Sequence, residues 1–136
     1  MKALKGKTIN EVYISDDKVW LKFELANGKY VLYKARNECC NDVWFNHISG
    51  LKSLLGAKVL SVHKKPMIEK ATPTKQGEDD IYGWTIITAN GYFDVEMRNS
   101  SNGYYGGHLE RIEYPWRQSY PNPLDKVTFK KLFRDF

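Results

Sequence analysis

Two Asn-Gly dipeptides, Asn27-Gly28 and Asn90-Gly91, do most to limit the fold that this chain can adopt. Asn-Gly between runs of alternating apolar and polar residues favours a two-residue turn between antiparallel strands. Residues 19–25 alternate in this way before the first dipeptide, and residues 81–89 and 92–98 flank the second. Both dipeptides therefore predict β-hairpins, and we expect antiparallel sheet to be the main architecture.

Two-residue turns also predict which residues face each other across each hairpin. In the first hairpin the predicted pairs are Leu25 with Tyr30 and Phe23 with Leu32. In the second hairpin they are Trp84 with Met97, Ile86 with Val95 and Thr88 with Phe93. The other face of the second hairpin then carries polar or amphipathic side chains that stay available for function: Tyr92, Asp94, Glu96 and Arg98.

Helical spacing of apolar residues predicts two further elements. Residues 41–48 have apolar residues at this spacing between a capping Asn or Asp and Gly50, which favours a short helix. Residues 126–136 follow a capping Asp125 and carry an apolar stripe opposite basic residues, which favours a C-terminal helix. We therefore expect a single α+β domain, residues 1–136, with an antiparallel sheet, a short central helix and a C-terminal helix.

The composition narrows the classes of function. Lys and Arg number 21 against 16 Asp and Glu, and the net charge of +5 is spread along the chain, unlike the dense basic stripe of a duplex-binding protein. No apolar run reaches the ~18 residues that suggest a membrane-spanning helix. Residues 64–80, with two prolines, predict a long loop. The two cysteines, Cys39 and Cys40, are adjacent and therefore poorly placed to pair, which favours a reducing cytoplasm.

The segment from Arg98 to Gly107 is the strongest candidate for a functional site. It follows a strand and consists of Asn, Ser, Gly and Tyr after the arginine. Glycine leaves bare amides that a ligand can approach, tyrosine offers a stacking face, and arginine binds phosphate through two parallel hydrogen bonds. Arg117 lies in an aromatic and proline setting where stacking is available. These residues predict a pocket for a small phosphorylated ligand, with salt bridges as the alternative role for Arg98.

Catalytic and metal chemistry have weaker support. The chain has no Walker-type loop, no Gly-x-Ser-x-Gly and no His-Glu-x-x-His motif. Asp94 and Glu96 share a strand face as paired catalytic carboxylates would, but with Arg98 on the same face a surface ion-pair ladder is the favoured interpretation. A metal cluster is conceivable from Cys39, Cys40, Asp42 and His47. Adjacent cysteines do not have zinc-ligand spacing, so we expect packed thiols at a strand-to-helix junction and no metal or cofactor.

Three segments resemble small bacteriophage proteins of the Thoeris anti-defence sponge family. They are Cys39-Cys40-Asn-Asp-x-Trp-Phe-x-His-Ile, the strand start Tyr82-Gly83-Trp84, and Arg98-Asn-Ser-Ser-Asn-Gly-Tyr-Tyr-Gly-Gly107. The resemblance covers residues 4 to 117. Proteins of that family capture the cyclic ADP-ribose isomer that bacterial TIR proteins make as an alarm, and some also hold cyclic oligonucleotides.

The resemblance implies a phage protein of the host bacterial cytoplasm that sequesters a cyclic nucleotide without turning it over. It also implies a homo-oligomer with ligand pockets at subunit boundaries. The ligand would be a cyclic ADP-ribose isomer or a cyclic dinucleotide or trinucleotide. The ligand-binding residues that it implies are Tyr92, Phe93, Arg98, Asn99, Asn102 and Arg117.

Two other functions compete with sequestration. Aromatic residues and lysines on a strand face would also suit a domain that binds single-stranded nucleic acid, and that binding would weaken steeply with salt. An enzyme that degrades the same nucleotide is the other alternative. Recovery of intact ligand from denatured protein would exclude the enzyme.

Overall fold

Antiparallel β-sheet accounts for most of the residues that the structure describes. This computed structural model describes residues 1–71, 77–101, 106–112 and 126–136. The strands are β1 (Ile9–Ser15), β2 (Trp20–Leu25), β3 (Tyr30–Arg36), β4 (Asp42–Ser49), β5 (Val59–Lys64), β6 (Ile68–Ala71), β7 (Glu78–Thr88), β8 (Gly91–Ser101), β9 (His108–Ile112) and β10 (Phe129–Lys131). The helical segments are a 3₁₀ turn (Lys2–Leu4) and α1 (Leu51–Leu54).

The strands form two sheets that pack through their apolar faces. The first sheet has the order β10-β1-β2-β3-β9, and the second has β4-β8-β7-β5 with β6 also paired to β7. Buried residues of both sheets belong to one core, at whose centre the rings of Phe23 and Phe93 meet edge to face with centroids 6.2 Å apart. Strand β8 therefore has a hydrogen-bonded neighbour on each side and the core beneath it.

Backbone hydrogen bonds also connect the two sheets at their margins. The amide of Gly6 donates to the carbonyl of Val59, whose own amide donates to Lys7. Ile48 and Phe136 exchange both of their backbone hydrogen bonds, each at 2.9 Å. The two ends of the described chain are thus held against the second sheet.

The first hairpin forms as predicted, but its pairs are displaced by one residue. The turn has three residues, because the amide of Leu25 bonds to the carbonyl of Lys29 and Gly28 takes a φ of 83°. Phe23 therefore pairs with Val31, and the predicted pairs Phe23–Leu32 and Leu25–Tyr30 are wrong. A shift of one residue exchanges the faces of the second strand. Leu32 is consequently buried on the outer face of the sheet, in a second apolar cluster.

The second hairpin is displaced by two residues, so its faces are as predicted although its pairs are not. Thr88 pairs with Gly91, which places the turn at residues 89–90 instead of 90–91. Ile86 faces Phe93 and Trp84 faces Val95, so the pairs predicted from the sequence are wrong. Because side chains alternate with a period of two, the same residues still point into the core.

The predicted α+β class is wrong, because residues 42–49 form a strand and the described residues 126–136 contain a strand where the C-terminal helix was predicted. Residues 42–49 form β4, whose bulge between Phe45 and His47 changes the spacing of its buried residues. Within the described residues 126–136, only β10 is regular, and it pairs with β1. The region predicted to be a loop, residues 64–80, instead contains β6 and the first residues of β7. Residues 72–76 of that region lie outside the described residues. The fold is mostly β.

Candidate functional site

The last residues of β8 are polar although they lie in the middle of the second sheet. The side chains of Asn99, Ser100 and Ser101 are almost fully buried, at 0%, 0% and 2% exposure. Such groups need hydrogen-bond partners, since an unpaired buried polar group costs roughly 1–3 kcal/mol. These residues lead directly into the Gly- and Tyr-rich segment, so that segment starts from a packed polar surface at the end of β8.

Arg98, the predicted phosphate ligand, forms an ion pair with a buried carboxylate. Its Nη1 lies 3.1 Å from Oδ2 of Asp79 on the neighbouring strand β7. The Asp79 side chain is fully buried and that of Arg98 is 13% exposed. Removing one partner of such a pair leaves a buried charge, which is strongly destabilising. A phosphate bound at Arg98 would have to share the guanidinium with Asp79.

Asn41 joins this surface to the returning end of the Gly-rich segment. Its Nδ2 donates to Oδ1 of Asn99 at 2.7 Å and to the carbonyl of Gly106 at 3.1 Å. Its Oδ1 accepts from the amides of Glu38 at 3.1 Å and Cys39 at 3.3 Å. We refer to Asn41 and these four partners as the Asn41 cluster. The cluster fixes the position of the segment's end relative to the sheet.

Gly107 is held by close packing next to the Asn41 cluster. A Cβ at this position would lie 3.0 Å from a methyl carbon of Val43, so the chain requires glycine for close approach. The amide of Gly107 donates to the Tyr82 hydroxyl at 3.4 Å. Burial raises the pKa of Tyr82, although the Gly107 amide acts in the opposite direction. At the exposed rim, His108 Nε2 lies 3.0 Å from Oε1 of Glu38.

The six predicted ligand-binding residues do not all meet at this surface. Tyr92 is 63% exposed at the start of β8, whereas Phe93 is fully buried in the core, so a stacking contact would require its ring to leave the core. Tyr92 and Arg98 share a face, but six residues of extended strand separate them by about 20 Å. Arg98 and Asn99 are consecutive near the end of β8, so their side chains project from opposite faces of the sheet, towards Asp79 and Asn41 respectively. Asn102 and Arg117 lie outside the described residues.

The outer face of the second sheet satisfies its carboxylates through neighbouring strands. Asp94 accepts from the Thr85 hydroxyl at 2.6 Å and pairs with Lys65 at 2.9 Å, while Glu96 accepts from Asn46 at 2.5 Å. Burial raises the pKa of Asp94, but the hydroxyl and the ammonium lower it by more. A cavity of about 140 Å³ adjoins both carboxylates. The ion-pair interpretation fits Asp94, although its partner is Lys65 and not Arg98.

Cys39 and Cys40 do not pack at a junction as predicted, because both thiols are exposed and free. They lie in the bend before β4, and the segment that follows is a strand, not a helix. Among the residues that the structure describes, no three His, Cys, Asp or Glu side chains are placed to hold one metal ion. No helix in the same part of the chain is long and apolar enough to cross a membrane.

Sequence reasoning missed the residues that organise this surface. The sequence pattern offers Asn41 or Asp42 as a helix cap, and it indicates no role in the site for Asp79 or Tyr82. Their roles come from pairing across β4, β7 and β8, which joins residues far apart in the chain. The repeated Asn residues at 37 and 41 were the one local signal, since buried asparagines often satisfy backbone groups.

Comparison with known proteins finds a viral relative and a family model that match this chain. It is 33% identical over 90 residues to an uncharacterized protein of Acanthamoeba polyphaga mimivirus, a match that covers 63% of this chain and 71% of the relative. No solved structure matches it. The family model described as Domain of unknown function (DUF7448) matches residues 2–110, which include the Asn41 cluster and most of both sheets. The chain therefore belongs to the DUF7448 family.

Proposed function

We propose that this protein is a phage anti-defence protein that binds and sequesters a cyclic nucleotide signal in the host bacterial cytoplasm. The ligand is a cyclic ADP-ribose isomer or a cyclic dinucleotide or trinucleotide, and it is held without being degraded. The mimivirus relative is a viral protein, which supports a viral setting.

The observation that carries the proposal is the packed polar surface at the base of the Arg98–Gly107 segment. Buried polar networks add little net stability compared with apolar packing, so their value is in fixing geometry. Here the Arg98–Asp79 ion pair on one face of the sheet and the Asn41 cluster on the other hold the two ends of a segment whose composition suits stacking and close backbone contact. A segment with fixed ends loses less conformational entropy when it closes on a ligand.

Binding without turnover fits the chemistry of the described residues better than catalysis does. Ser61 and His63 lie 3.1 Å apart, as a nucleophile and a base would, but both are on β5 and their hydrogen bond is exposed. In the described part of the chain, no carboxylate bonds to the His63 ring to orient it. A catalytic base needs such an orienting partner and a site that excludes water.

Calorimetry with cyclic ADP-ribose isomers, cyclic dinucleotides and cyclic trinucleotides tests the proposal. Arg98→Lys keeps a positive charge beside Asp79 but loses the planar fork, so we expect a ten- to hundredfold loss of affinity, in line with about 1.5–3 kcal/mol for a charge-assisted bond. Arg111→Ala, at an exposed arginine of β9, is the matched control and should bind like wild type. Arg117→Ala tests the second arginine, which lies outside the described residues.

Two results would reject the proposal in different ways. If wild type binds one of these ligands and neither Arg98→Lys nor Arg117→Ala weakens it, the pocket lies elsewhere. If wild type binds none of them, sequestration itself fails. Ligand recovered intact from denatured protein separates sequestration from degradation.

The proposal includes a homo-oligomer, as the family resemblance implies. The predicted amphipathic helix cannot supply the interface, because residues 126–136 are not helical and Leu132 is buried in the chain's own core. Phe133 is 86% exposed and is the apolar side chain of this segment that a second copy could cover. Light scattering should give a mass above 15.8 kDa, and Phe133→Asp should lower it. A monomer at micromolar concentration would exclude the oligomer.

A second candidate, a domain that binds single-stranded nucleic acid, has one observation in its favour. The outer face of the first sheet interleaves lysines with rings: Lys22 lies 4.3 Å from the centroid of Phe129 and 4.8 Å from that of Tyr13, and Lys34 lies 4.9 Å from that of Trp20. A base would have to displace these ammonium groups to stack. Fluorescence titration with oligonucleotides at rising salt tests it, since affinity must fall steeply if phosphates are neutralised.

A further inference from the structure

The vicinal cysteines form an exposed dithiol whose sulfur atoms lie closer together than van der Waals contact. Cys39 and Cys40 are the chain's two cysteines, and both are free and exposed in the bend between β3 and β4. Their Sγ atoms lie 2.8 Å apart. When one of two thiols held in this way carries a mixed disulfide, the other attacks it far faster than a thiol of a second molecule does, because no translational freedom is lost.

We propose that Cys39 and Cys40 form a redox modification site that a low-molecular-weight disulfide closes into a vicinal disulfide. One cysteine, as its thiolate, attacks the small disulfide, forms a mixed disulfide and releases one thiolate. The second cysteine then attacks the protein sulfur of that mixed disulfide and releases the other thiolate. Two electrons pass from the protein sulfurs to the small disulfide, which leaves as two thiols.

The geometry makes this modification reversible. Adjacent Cα atoms across a trans peptide are about 3.8 Å apart, whereas disulfides usually span about 4.4–6.8 Å between Cα atoms. Ring closure must therefore distort the peptide between Cys39 and Cys40. Strained and exposed disulfides are the ones that small thiols reduce readily, as a regulatory site requires.

The distorted peptide is directly connected to the Asn41 cluster. The amides of Glu38 and Cys39 both donate to Oδ1 of Asn41, and the Asn37 amide group donates to the carbonyl of Cys39 at 3.5 Å. The opposite end of the Asn41 side chain holds the carbonyl of Gly106. Oxidation therefore breaks hydrogen bonds on one side of Asn41 and loosens the returning end of the Gly-rich segment on the other.

The test uses the full chain, oxidised and reduced glutathione in defined ratios, and a thiol-alkylating reagent that traps the products. In wild type we expect an intact mass lower by two hydrogens, with neither cysteine alkylated. The variants Cys39→Ser and Cys40→Ser keep one exposed thiol each and should instead accumulate a stable glutathione adduct. Both positions are exposed, so neither substitution disturbs the core.

Hydrogen exchange measures the structural consequence without any ligand. In oxidised wild type, the amides of Glu38 and Gly107 should exchange about tenfold faster or more, while Val95 in the core of β8 stays protected. The doubly substituted Cys39→Ser, Cys40→Ser protein, treated in the same way, should show no change. Two glutathione adducts on wild type, or a vicinal disulfide with unchanged exchange at both amides, would overturn the proposal.

Discussion

Replacing Asn41 by Ala should destabilise the fold far more than the loss of a surface asparagine. Four hydrogen bonds end at its side chain. The two from the amides of Glu38 and Cys39 lie near solvent, and water replaces them at about 0.5 kcal/mol each. Loss of the bond to Asn99 should cost about 1–3 kcal/mol, because the buried side-chain oxygen Oδ1 of Asn99 loses a donor that water cannot easily replace. These three bonds sum to about 2–4 kcal/mol, before the bond to the carbonyl of Gly106 is counted.

Urea denaturation followed by tryptophan fluorescence measures this loss. With an m-value of about 2 kcal/mol/M, the midpoint should fall by about 1–2 M. Asn27→Ala is the control, since that exposed side chain makes one backbone hydrogen bond in a turn, with Lys29, and should shift the midpoint by less than about 0.5 M. Equal shifts in the two variants would mean that solvent satisfies the Asn41 partners and that the cluster does not hold the segment.

Three further outcomes follow from single contacts. Gly107→Ala should cost about 1–3 kcal/mol through overpacking, measured by thermal denaturation, whereas Gly106→Ala should cost little because its nearest neighbour would be 3.6 Å away. Burial raises the pKa of Asp94, but Thr85 and Lys65 lower it by more, so the folded pKa lies below the unfolded one. The ionised carboxylate therefore stabilises the fold above pH ~3.9, and this stabilisation is lost as the pH falls through the folded pKa. Thr85→Val should raise the folded pKa of Asp94 in an NMR titration. Lys22→Ala removes an ammonium that lies over three aromatic rings and should destabilise the fold by about 1–2 kcal/mol. Lys34→Ala removes an ammonium that lies over one ring and should cost less than about 1 kcal/mol. Equal losses of stability in chemical denaturation would contradict a cation–π role for Lys22.

Local signals in the sequence predicted hairpins but not their registers. Asn-Gly marked both turns, yet Gly28 takes its left-handed conformation in a three-residue turn, while the second turn lies one residue before the dipeptide. Dipeptide preference selects a turn without fixing its length, and packing of the strands decides between registers. The first sheet also buries residues on both faces, which removes the simple alternation that register predictions use.

The predicted helices failed for a reason that can be traced to particular residues. The helix prediction for residues 41–48 relied on the helical spacing of Val43, Trp44, His47 and Ile48. In β4, the bulge after Phe45 inserts a residue, so the buried residues are instead Val43, Phe45 and Ile48, while Trp44 is half-buried and His47 is exposed. At the C-terminal segment, the Leu132 amide bonds to the carbonyl of Val12, a partner 120 positions away, and no local pattern can indicate such a contact. Tertiary pairing overrides helix propensity at these positions.

The candidate site was predicted in part, because its chemistry is local but its geometry is not. The segment that begins at Arg98 was recognisable from its composition, but Arg98 and Asn99 are consecutive residues of β8, and their side chains project from opposite faces of the sheet. That Arg98 pairs with Asp79, and that Asn41 reaches Asn99, depends on β4 and β7 flanking β8. These contacts follow from sheet order, which the sequence pattern did not specify.

The pairing of β10 with β1 has a consequence for biosynthesis. Tyr13 of β1 lies opposite Lys131 of β10, so β1 obtains its second hydrogen-bonded neighbour from the strand that the ribosome makes after all the other described strands. Pairings that close such long loops form slowly, since their entropy must be lost before the contact forms. Until then β1 is an unpaired edge, which is a template for association between nascent chains. Completion of the first sheet must therefore wait until β10 has been synthesised, long after the β1–β2 and β2–β3 pairs have been made.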